Sequence, residues 1–409
     1  MKKGLMLFVL IVSVFIGVNL DFSLRMEAEA GPPKEIVIHH IGDVTGPYAA
    51  FTGVSGLHAM KDMEKIINSR GGVKGVNVKI VMSDTRYKRD LALSHYNRVS
   101  SEKPPIIVLQ QAGDAEMLGG RLAEDGIPAF CTSPTVKSLW PPGWVFGCVP
   151  ELTDQFAHLI EWLRNDWKKS GPIKLGFMVR DDVFGRTIFT PEVEEYIKKK
   201  EIDVVAREFY PPQDLDVTTI MTRLALRKPD VIYVVAIAGQ NRVVYKAAEA
   251  AGLIGGPVLF TSQLWGLDRG AAKLSEGLME GVTGSSSLWM AGETDIRIVK
   301  DLVEVFKMEN RPPEQLTAAY AILTAINALA AEVLSKTVER IGWDKLSGRE
   351  VYKTLQESKD LKILGFMPFR VSSGKRSPSH SRIVKIKNGD PVAITDWAIC
   401  PDMRPAQYR

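Results

Sequence analysis

Two pairs of adjacent ionisable residues are the first candidates for chemistry in this sequence. His39 and His40 lie on an apolar run that predicts a strand, so their side chains point to opposite faces and cannot chelate one metal ion. Asp181 and Asp182 follow a second apolar run, and a carboxylate pair can act as general acid and base. Aspartates just before a helix more often cap its N-terminus, and no nucleophile accompanies these two. Neither pair therefore predicts catalysis.

Glycine and cysteine patterns give no sign of a cofactor or metal site. The sequence contains no G-x-G-x-x-G, no G-x-x-x-x-G-K-[ST] and no G-x-S-x-G motif. Its three cysteines, Cys131, Cys148 and Cys400, lack C-x-x-C spacing. An oxidising compartment would allow one disulfide among them without indicating which two residues pair. We therefore expect a non-enzyme that needs no cofactor and no metal ion.

The loop from Gly42 to Pro47, which reads Gly-Asp-Val-Thr-Gly-Pro, follows the first predicted strand and precedes a predicted helix. In doubly wound sheets, ligands bind at the carboxyl ends of strands, where helix N-termini offer backbone N–H groups to an anion. Thr45 is the candidate contact in this loop. A tight turn that requires Gly and Pro explains the same composition, so both readings stay open.

The elements that would position this loop alternate between short β-branched runs and amphipathic helices. Such alternation is typical of a parallel, doubly wound sheet. It occurs twice in tandem, and the rhythm breaks near Trp140 at a Pro-Pro-Gly sequence. The predicted strands are Ile36–Ile41, Val76–Met82, Ile106–Leu109 and Ala129–Cys131 in the first series, and Lys174–Val179, Val204–Phe209, Val231–Val235 and Val258–Thr261 in the second.

The last part of the chain predicts long helices followed by short strands. Asn388-Gly389 is a hairpin signal between the last two of these strands. The predicted helices are Asp295–Lys307, Leu316–Leu334 and Arg349–Glu357, and the predicted strands are Phe369–Val371, Ile383–Ile386 and Val392–Asp396. No low-complexity linker separates these pieces, so we expect several short crossings between domains rather than one flexible tether.

The amino terminus has the pattern of a secretory signal. Lys2 and Lys3 precede an apolar run from Leu5 to Leu20, and Ala28-Glu29-Ala30 offers a small-x-small cleavage pattern. We predict a signal peptide over residues 1–30 and therefore a periplasmic protein. The charged stretch between Asp21 and Glu29 is long for a cleavage region, so an uncleaved anchor remains the alternative.

The charge of the chain does not favour a nucleic-acid partner. The sequence has 52 basic and 48 acidic residues, which are well mixed and give a formal net charge of +4. Such mixing leaves no basic face of the kind that binds phosphate backbones. We expect no nucleic acid among the partners.

Motifs along the whole chain resemble those of one protein family. The region from Glu35 to Gly75 has a strand, a Thr-Gly-Pro turn and a long helix that ends in the pattern I-N-x-x-G-G-x-x-G. Further matching segments are Glu124–Pro128, Ser133–Pro134, Phe184–Gly185, Lys228–Tyr233, Ala250–Gly252, Gly281–Val282 and Ala319–Tyr320. The sequence thus resembles the periplasmic solute-binding proteins of the branched-chain amino acid ABC transporter family.

The resemblance implies an α/β fold with two Rossmann-like, doubly wound lobes joined by three hinge crossings, the type I periplasmic binding fold. Lobe 1 would comprise residues 35–149 and 285–364, and lobe 2 residues 150–284 and 365–409. The crossings would lie near Phe146–Pro150, Gly281–Ser287 and Gly365–Phe369. Such proteins close on a small-molecule ligand by hinge bending and present the closed form to a membrane permease.

The resemblance also implies which loops of lobe 1 contact the ligand. In the family, the loops after the third and fourth strands bind a carboxylate through N–H and hydroxyl groups, and Thr132 keeps its hydroxyl here. The serine expected in the earlier loop is replaced by Ala112 or Gly113, whose backbone donors remain. The residues implied in the two loops are Gln111, Ala112, Gly113, Asp114, Cys131, Thr132 and Ser133.

In lobe 2 the sequence departs from relatives that bind α-amino acids. Phe184 stands where they have a tyrosine, and Gln263 where they have an acid that pairs with the α-ammonium group. A buried ammonium without a counter-charge is costly, so Gln263 argues against a zwitterionic ligand, unless a shifted alignment puts Asp268 at that position. Further candidates, which suit an apolar or aromatic ligand, are Tyr48, Phe51, Ala236, Trp265 and Trp289.

We therefore expect a non-catalytic receptor for a small organic solute that serves an ATP-driven importer. The solute would be a branched-chain amino acid, or an aromatic or aliphatic carboxylate or amide. The alternative is the ligand-sensing domain of a signalling or regulatory system, which uses the same fold. An apolar N-terminal segment left uncleaved would favour that alternative.

Overall fold

The computed structural model describes residues 31–49, 53–237, 239–365, 367–370 and 374–409. The predicted signal peptide and the candidate ligand contact Phe51 lie outside these ranges. The strands are β1 (Glu35–Gly42), β2 (Asn77–Asp84), β3 (Ile107–Leu109), β4 (Ala129–Cys131), β5 (Val145–Gly147), β6 (Ile173–Arg180), β7 (Ile202–Tyr210), β8 (Val231–Val235), β9 (Leu259–Ser262), β10 (Thr283–Ser286), β11 (Lys362–Ile363), β12 (Met367–Pro368), β13 (His380–Lys387), β14 (Asp390–Ala393) and β15 (Ala398–Ile399). The helices are α1 (Val54–Ser69), α2 (Arg89–Ser101), α3 (Ala112–Asp125), α4 (Val136–Leu139), α5 (Leu152–Asp166), α6 (Val183–Arg186), α7 (Pro191–Lys199), α8 (Thr218–Ala225), α9 (Gln240–Ala250), α10 (Arg269–Leu274), α11 (Arg297–Met308), α12 (Ala318–Ile341) and α13 (Gly348–Glu357).

The first sheet is parallel and has the strand order β2-β1-β3-β4-β5. Its strand β1 buries Ile36 and Ile38 on one face and Ile41 on the other, because helices cover both sides of the sheet. Burial on both faces explains why the strand is a nearly continuous apolar run. The order reverses between β1 and β3, which is the switch point where ligands bind in doubly wound sheets.

The second sheet has the order β14-β13-β10-β9-β8-β6-β7, with β15 paired to β13. Strands β6 to β10 run parallel, and β13 joins β10 and β14 in antiparallel pairs. The hairpin between β13 and β14 turns at Asn388 and Gly389, whose φ angles of 53° and 78° suit a two-residue turn. The predicted hairpin at Asn388-Gly389 is therefore confirmed.

Helix α1 packs against α12 and α11. These two helices come after the parallel strands of the second sheet in the sequence, but in space they cover the first sheet. The contact face of α1 is formed by residues at helical spacing, namely Ala59, Met60, Met63, Ile66 and Ile67. Among the described residues, α12 has the length and hydropathy of a membrane span, but 83% of its most apolar window is buried inside the protein. Its packing identifies it as a core helix.

The predicted alternation of strands and helices is confirmed, and one predicted strand is wrong in its described part. Strand β12 ends at Pro368, and neither Phe369 nor Arg370 belongs to a strand. Phe369 is fully buried, and its ring packs edge-on against Phe130 at 5.8 Å between centroids. Its apolar character therefore serves tertiary packing. The predicted strand Val392–Asp396 starts earlier and is shorter, at β14.

A group of charged side chains, the tail network, holds the C-terminal tail against the start of α5; all of its members except Asp402 are largely buried. It consists of Glu151, Asp154, Lys375 and Asp402. Asp154 is fully buried, accepts a hydrogen bond from Met403 N at 2.8 Å and pairs with Lys375. Lys375 also lies 3.6 Å from Asp402. Burial first, and then the charge of Asp154, raise the pKa of Glu151 to about 8.

The three cysteines are all buried and free. Burial raises the pKa of Cys131 and of Cys400 to about 12, and it also raises the pKa of Cys148. Cys148 Sγ donates to the carbonyl oxygen of Cys131 at 3.3 Å. The described residues contain no group of histidine, cysteine and acidic side chains that could hold a metal ion.

Candidate ligand-binding cleft

A cavity of about 280 Å³ lies between the carboxyl ends of strands from both sheets and the start of α12. This is the position at which doubly wound sheets bind ligands. Its lining residues are Asp43, Tyr48, Tyr87, Arg89, Gln110, Gln111, Ala112, Gly113, Asp114, Thr132, Ser133, Arg180, Asp182, Val183, Phe184, Ile237, Trp265, Ala319, Ile322 and Leu323.

Arg180, the last residue of β6, is the most deeply buried charge of the cavity wall, with 1% of its surface exposed. Its Nε donates to Asp182 Oδ2 at 2.7 Å, and its Nη2 also bonds to that carboxylate. Burial lowers the pKa of Arg180, but the charge of Asp182, the two tyrosines and the hydrogen bond to Asp182 together outweigh burial and raise the pKa above its usual value. The guanidinium therefore stays charged. Its Nη1 makes one long contact, 3.4 Å to Gln240 Oε1.

Two tyrosines from the first sheet meet this arginine from the second. Tyr48 follows β1, Tyr87 follows β2, and their rings lie edge to face with centroids 4.8 Å apart. Arg180 Nη2 donates to both hydroxyls, and its guanidinium carbon lies 5.1 Å from the centre of the Tyr48 ring. The contact joins the two sides of the cleft directly.

The turn that carries Tyr48 is built by Asp43. Its carboxylate accepts from Gly46 N at 2.7 Å and from Tyr48 N at 2.9 Å. A β-carbon on Gly46 would lie 2.4 Å from Asp43 Oδ1 and 2.7 Å from the Arg86 backbone, so this position requires glycine. The composition of the loop thus follows from a tight turn, and the same turn delivers Tyr48 to the cleft.

A similar close approach shapes the loop after β6. Asp182 caps the short helix α6 by accepting from Gly185 N at 2.9 Å, and a β-carbon on Gly185 would lie 2.1 Å from Arg180 O. The expectation that Asp182 caps a helix is confirmed. Asp181 pairs with the exposed Arg186 and is not among the residues that line the cavity.

The first turn of α3 forms the part of the wall that is suited to an anion, because its N–H groups have no acceptor within the helix. Arg89 Nη2 approaches this turn, since it would lie 3.7 Å from a β-carbon on Gly113. Both amide atoms of Gln111 have hydrogen-bond partners when the nitrogen donates to Asp114 Oδ2 at 2.9 Å and the oxygen accepts from Thr85 Oγ1. Asp114 is buried, and burial raises its pKa to about 7.

Apolar side chains form the remaining wall. Phe184 and Trp265 come from the second sheet's loops and are 6% and 5% exposed. Ile322 and Leu323 come from α12, and Ile237 follows β8. A cavity with a few charged groups and otherwise apolar walls suits a small molecule with a polar group and an apolar body.

The structure brings nine of the predicted site residues into this lining: Tyr48, Gln111, Ala112, Gly113, Asp114, Thr132, Ser133, Phe184 and Trp265. Their contact with a ligand stays a prediction. Thr132 uses its hydroxyl to donate to Gln110 O at 2.9 Å, which orients the loop after β3. Phe51 lies outside the described residues.

Five predicted residues lie outside the lining. Thr45 turns away and donates to Asp84 Oδ2 at 2.5 Å. Partial burial raises the pKa of Asp84, but hydrogen bonds from Thr45 and neighbouring amides lower it to about 2. Cys131 and Ala236 are fully buried core residues. Trp289 is also in the core, where its indole N–H donates to Thr324 Oγ1 at 3.1 Å.

Gln263 is the most consequential of these five residues for the choice of ligand. Its side chain is buried, donates to Ala236 O at 3.0 Å and accepts from Trp265 N at 2.7 Å, so it supports Trp265 without lining the cavity. Asp268 is occupied as well, because it accepts from Ala271 N at 2.7 Å and from Ala318 N. The identity of Gln263 therefore carries no information about an ammonium group in the cavity.

The sequence did not predict Arg180, Gln110, Tyr87 or Arg89 as cavity residues. A signal for Arg180 exists in the segment Phe177-Met178-Val179-Arg180-Asp181-Asp182, where an arginine ends a buried strand. Residues of α12 had no such signal, because the contact depends on how a helix distant in sequence packs on the first sheet. The missed lining residues are Asp43, Tyr87, Arg89, Gln110, Arg180, Asp182, Val183, Ile237, Ala319, Ile322 and Leu323.

Two doubly wound lobes that enclose a cavity at their strand ends define the type I periplasmic binding fold. The chain belongs to the periplasmic binding protein family, whose family model matches residues 35–390. The resemblance found in the sequence motifs is thereby confirmed. No curated protein matches the chain.

Solved structures agree on the fold. A branched-chain amino acid ABC transporter protein from Thermus thermophilus with bound valine matches with a TM-score of 0.80 and 19% identity, over 93% of this chain and 98% of that one. A solute-binding protein from Rhodopseudomonas palustris BisB5 in complex with 3,4-dihydroxy benzoic acid has a TM-score of 0.75, 16% identity and coverages of 92% and 100%. A fatty acid ABC transporter substrate-binding protein from Thermomonospora curvata has a TM-score of 0.76, 17% identity and coverages of 91% and 95%. At these identities the likeness concerns the fold.

Proposed function

We propose that the protein is the periplasmic solute receptor of an ABC importer and that its ligand is a small organic carboxylate with an apolar or aromatic body. The observation that carries this proposal is the buried guanidinium of Arg180 in the wall of a mostly apolar cavity: its Nε and Nη2 bind Asp182, but its Nη1 makes only a long contact, 3.4 Å to Gln240 Oε1. A cation shielded from water interacts with a ligand anion more strongly than an exposed one. The solved relatives with bound valine and bound 3,4-dihydroxy benzoic acid both hold carboxylates, which supports this ligand class.

The first turn of α3 supplies the other side of the anion site. Its free N–H groups and the nearby guanidinium of Arg89 favour negative charge, and Thr132 and Ser133 lie in the same lining. An anion in the cleft would therefore meet positive groups from both lobes. Such bridging stabilises the closed arrangement of the lobes when the solute is bound.

The acidic residues of the cavity argue against a zwitterion, in place of the argument from Gln263. Asp182 pairs with Arg180, and Asp43 accepts from two backbone amides. Burial raises the pKa of Asp114 to about 7, which weakens this residue as a counter-charge for an ammonium group. Asp182 and Asp43 already have partners, and an α-ammonium group that paired with either would have to displace them.

Thermal shift measurements against a panel of solutes test the ligand class. Benzoate, hydroxybenzoates and octanoate are expected to raise the melting temperature more than valine, leucine or the neutral analogue benzamide. A ligand at 100 times its dissociation constant adds about 2.7 kcal/mol to the free energy of unfolding. Shifts confined to valine and leucine, or equal shifts with benzamide and benzoate, would contradict a non-zwitterionic carboxylate ligand.

We propose the predicted lobe boundaries, residues 35–149 plus 285–364 and 150–284 plus 365–409, with one shift. Strand β10 (Thr283–Ser286) pairs with β9 and β13 of the second sheet, so Ser285 and Ser286 belong to lobe 2. The change of sheet between β5 and β6, and the packing of α11 and α12 on α1, support this division. Closure about the crossings would present a joint surface of both lobes to a membrane permease, which is the partner we propose.

Export to the periplasm follows from the proposed signal peptide, residues 1–30. We expect the mature protein from a Gram-negative host to begin at Gly31 and to fractionate with the periplasm. Intact mass and N-terminal sequencing measure this, and Ala30→Arg is the matched variant in which cleavage should fail. A chain that keeps residues 1–30 and sediments with membranes would instead favour a tethered sensor.

A further inference from the structure

The turn after β2 holds Tyr87 in an unusual backbone conformation. Arg86 and Tyr87 have φ angles of 50° and 60°, in the left-handed region that residues other than glycine rarely adopt. No other adjacent pair of non-glycine residues in the described part of the chain shares this conformation. Such strain persists only where the surrounding contacts fix it, and it often marks a functional position.

Asp84, the last residue of β2, supplies contacts that fix this turn. Its carboxylate accepts from Arg86 N at 3.0 Å and from Val44 N, in the turn after β1, at 2.8 Å. Tyr87 N donates to Thr85 Oγ1 at 3.2 Å. The turns after β1 and β2 are thereby joined into one platform, which presents Tyr87 to the second sheet.

The side chain of Tyr87 reaches from the first sheet to the second. Its hydroxyl donates to Asp182 Oδ2 at 3.4 Å and accepts from Arg180 Nη2 at 3.4 Å. Its ring meets the ring of Tyr48 edge-on. Tyr87 lines the cavity and is nevertheless 39% exposed, so it lies at the opening of the cavity.

The contacts of Tyr87 lie far from the segments that join the two sheets. The chain leaves the first sheet at β5, the edge opposite to β2 and four strands from it, which is about 19 Å at about 4.8 Å per strand. In the second sheet, β8 and β9 separate β6, which ends at Arg180, from β10 and β13, where the chain crosses again. A rotation about the crossings therefore moves Tyr87 and Arg180 apart by more than a hydrogen bond can span.

We propose that Tyr87 is a latch that holds the cleft closed and slows the escape of the bound solute. This inference rests on the proposed function and adds to it a residue that sets how long the solute stays bound. Association starts from the open form, in which Tyr87 contacts neither Arg180 nor Asp182. The latch therefore acts on the dissociation rate and not on the association rate.

Stopped-flow kinetics with 4-hydroxybenzoate and with octanoate, followed by tryptophan fluorescence, measure this effect. Tyr87→Phe should raise the dissociation rate constant about 3- to 10-fold, the loss expected for one hydrogen bond, and change the association rate constant less than about twofold. Tyr96→Phe is the matched control, because the Tyr96 hydroxyl donates to Asp125 Oδ2 at 2.6 Å within the first lobe and outside the cavity lining. The control should keep the wild-type rate constants. An unchanged dissociation rate in Tyr87→Phe, or the same rise in both variants, would overturn the inference and leave the proposed function standing.

Small-angle X-ray scattering of the ligand-free protein tests the latch without any solute. Tyr87→Ala should raise the radius of gyration with an unchanged circular dichroism spectrum, because a larger fraction of the molecules is open when the latch is missing. Tyr96→Phe should keep the wild-type radius. An unchanged radius in Tyr87→Ala would overturn the inference whatever the protein binds. A larger radius, together with failure of every carboxylate of the panel to bind, would count against the proposed function and not against the latch.

Discussion

Replacing Arg180 by methionine is expected to weaken binding of the best carboxylate of the panel about 10- to 100-fold. A hydrogen bond to a charged group is worth about 1.5–3 kcal/mol, and each 1.4 kcal/mol is a factor of ten in affinity. The loss should be larger for carboxylates than for their neutral amides. Isothermal titration of wild type and variant with both ligands measures the difference.

The matched control is Arg186→Met. Arg186 lies in the same loop and also pairs with an aspartate, but its side chain is 54% exposed and it does not line the cavity. This variant should bind like the wild type. A second variant, Arg180→Lys, keeps the charge and loses the planar fork, so it should fall between wild type and Arg180→Met. Equal carboxylate affinity in Arg180→Met and Arg186→Met would remove Arg180 from the binding site and with it the basis of the proposed ligand class.

Replacing Lys375 by methionine should lower the free energy of unfolding by about 3–5 kcal/mol at neutral pH. Breaking a buried ion pair leaves an uncompensated charge, here Asp154, which is fully buried beside Glu151 in the tail network. Lys353→Met is the control, because Lys353 is 56% exposed and its pairing with Glu350 is worth at most about 1 kcal/mol. Denaturant unfolding followed by circular dichroism compares the two variants. An equal loss of unfolding free energy in the two variants would show that the tail network stabilises the fold no more than an exposed ion pair does.

The same network should impose a pH dependence. The pKa of Glu151 is raised from its usual 4.5 to about 8, so the folded state holds its proton more tightly than the unfolded state. The stabilising contribution is therefore complete below pH 4.5 and is lost as the pH rises through 8. Glu151→Gln keeps an acceptor for the Trp140 indole, whose Nε1 lies 3.2 Å from Glu151 Oε1, and removes the proton. Relative to the wild type, this variant should gain stability between pH 5 and pH 8, and a constant difference would contradict the shift.

Sequence periodicity predicted the fold well because the parallel strands are short buried runs between helices with one apolar face. Strand β8 has the predicted bounds, and β1 and β6 extend the predicted strands by one residue at each end. These elements are specified by local patterns, so a single sequence carries the information. Phe369 shows the limit of prediction from local patterns. It was predicted to lie in a strand because it is apolar, but its ring packs on Phe130 outside any strand.

The sequence predicted the parts of the cavity that are formed by loops directly following the strands. It did not predict the parts formed by segments that are distant in sequence. The loops after β1, β3 and β4 were identified because a doubly wound sheet brings them to one edge. Arg180 was missed because an isolated arginine next to two aspartates normally indicates a solvated loop. Trp289 lies outside the cavity lining for the opposite reason. A tryptophan near a crossing suits a ligand, but here its N–H group bonds to Thr324 and Ala321 within the core.

The burial of all three thiols makes this protein suitable for conversion into an optical sensor. Thiol-directed dyes react with the thiolate, and the raised pKa values of Cys131, Cys148 and Cys400 keep that form scarce. A cysteine introduced at the exposed Lys88, beside Tyr87 at the rim of the cleft, would be the preferred site of labelling without any prior removal of native cysteines. A polarity-sensitive dye at this position would turn movement of the rim into a fluorescence signal and report solute concentration directly.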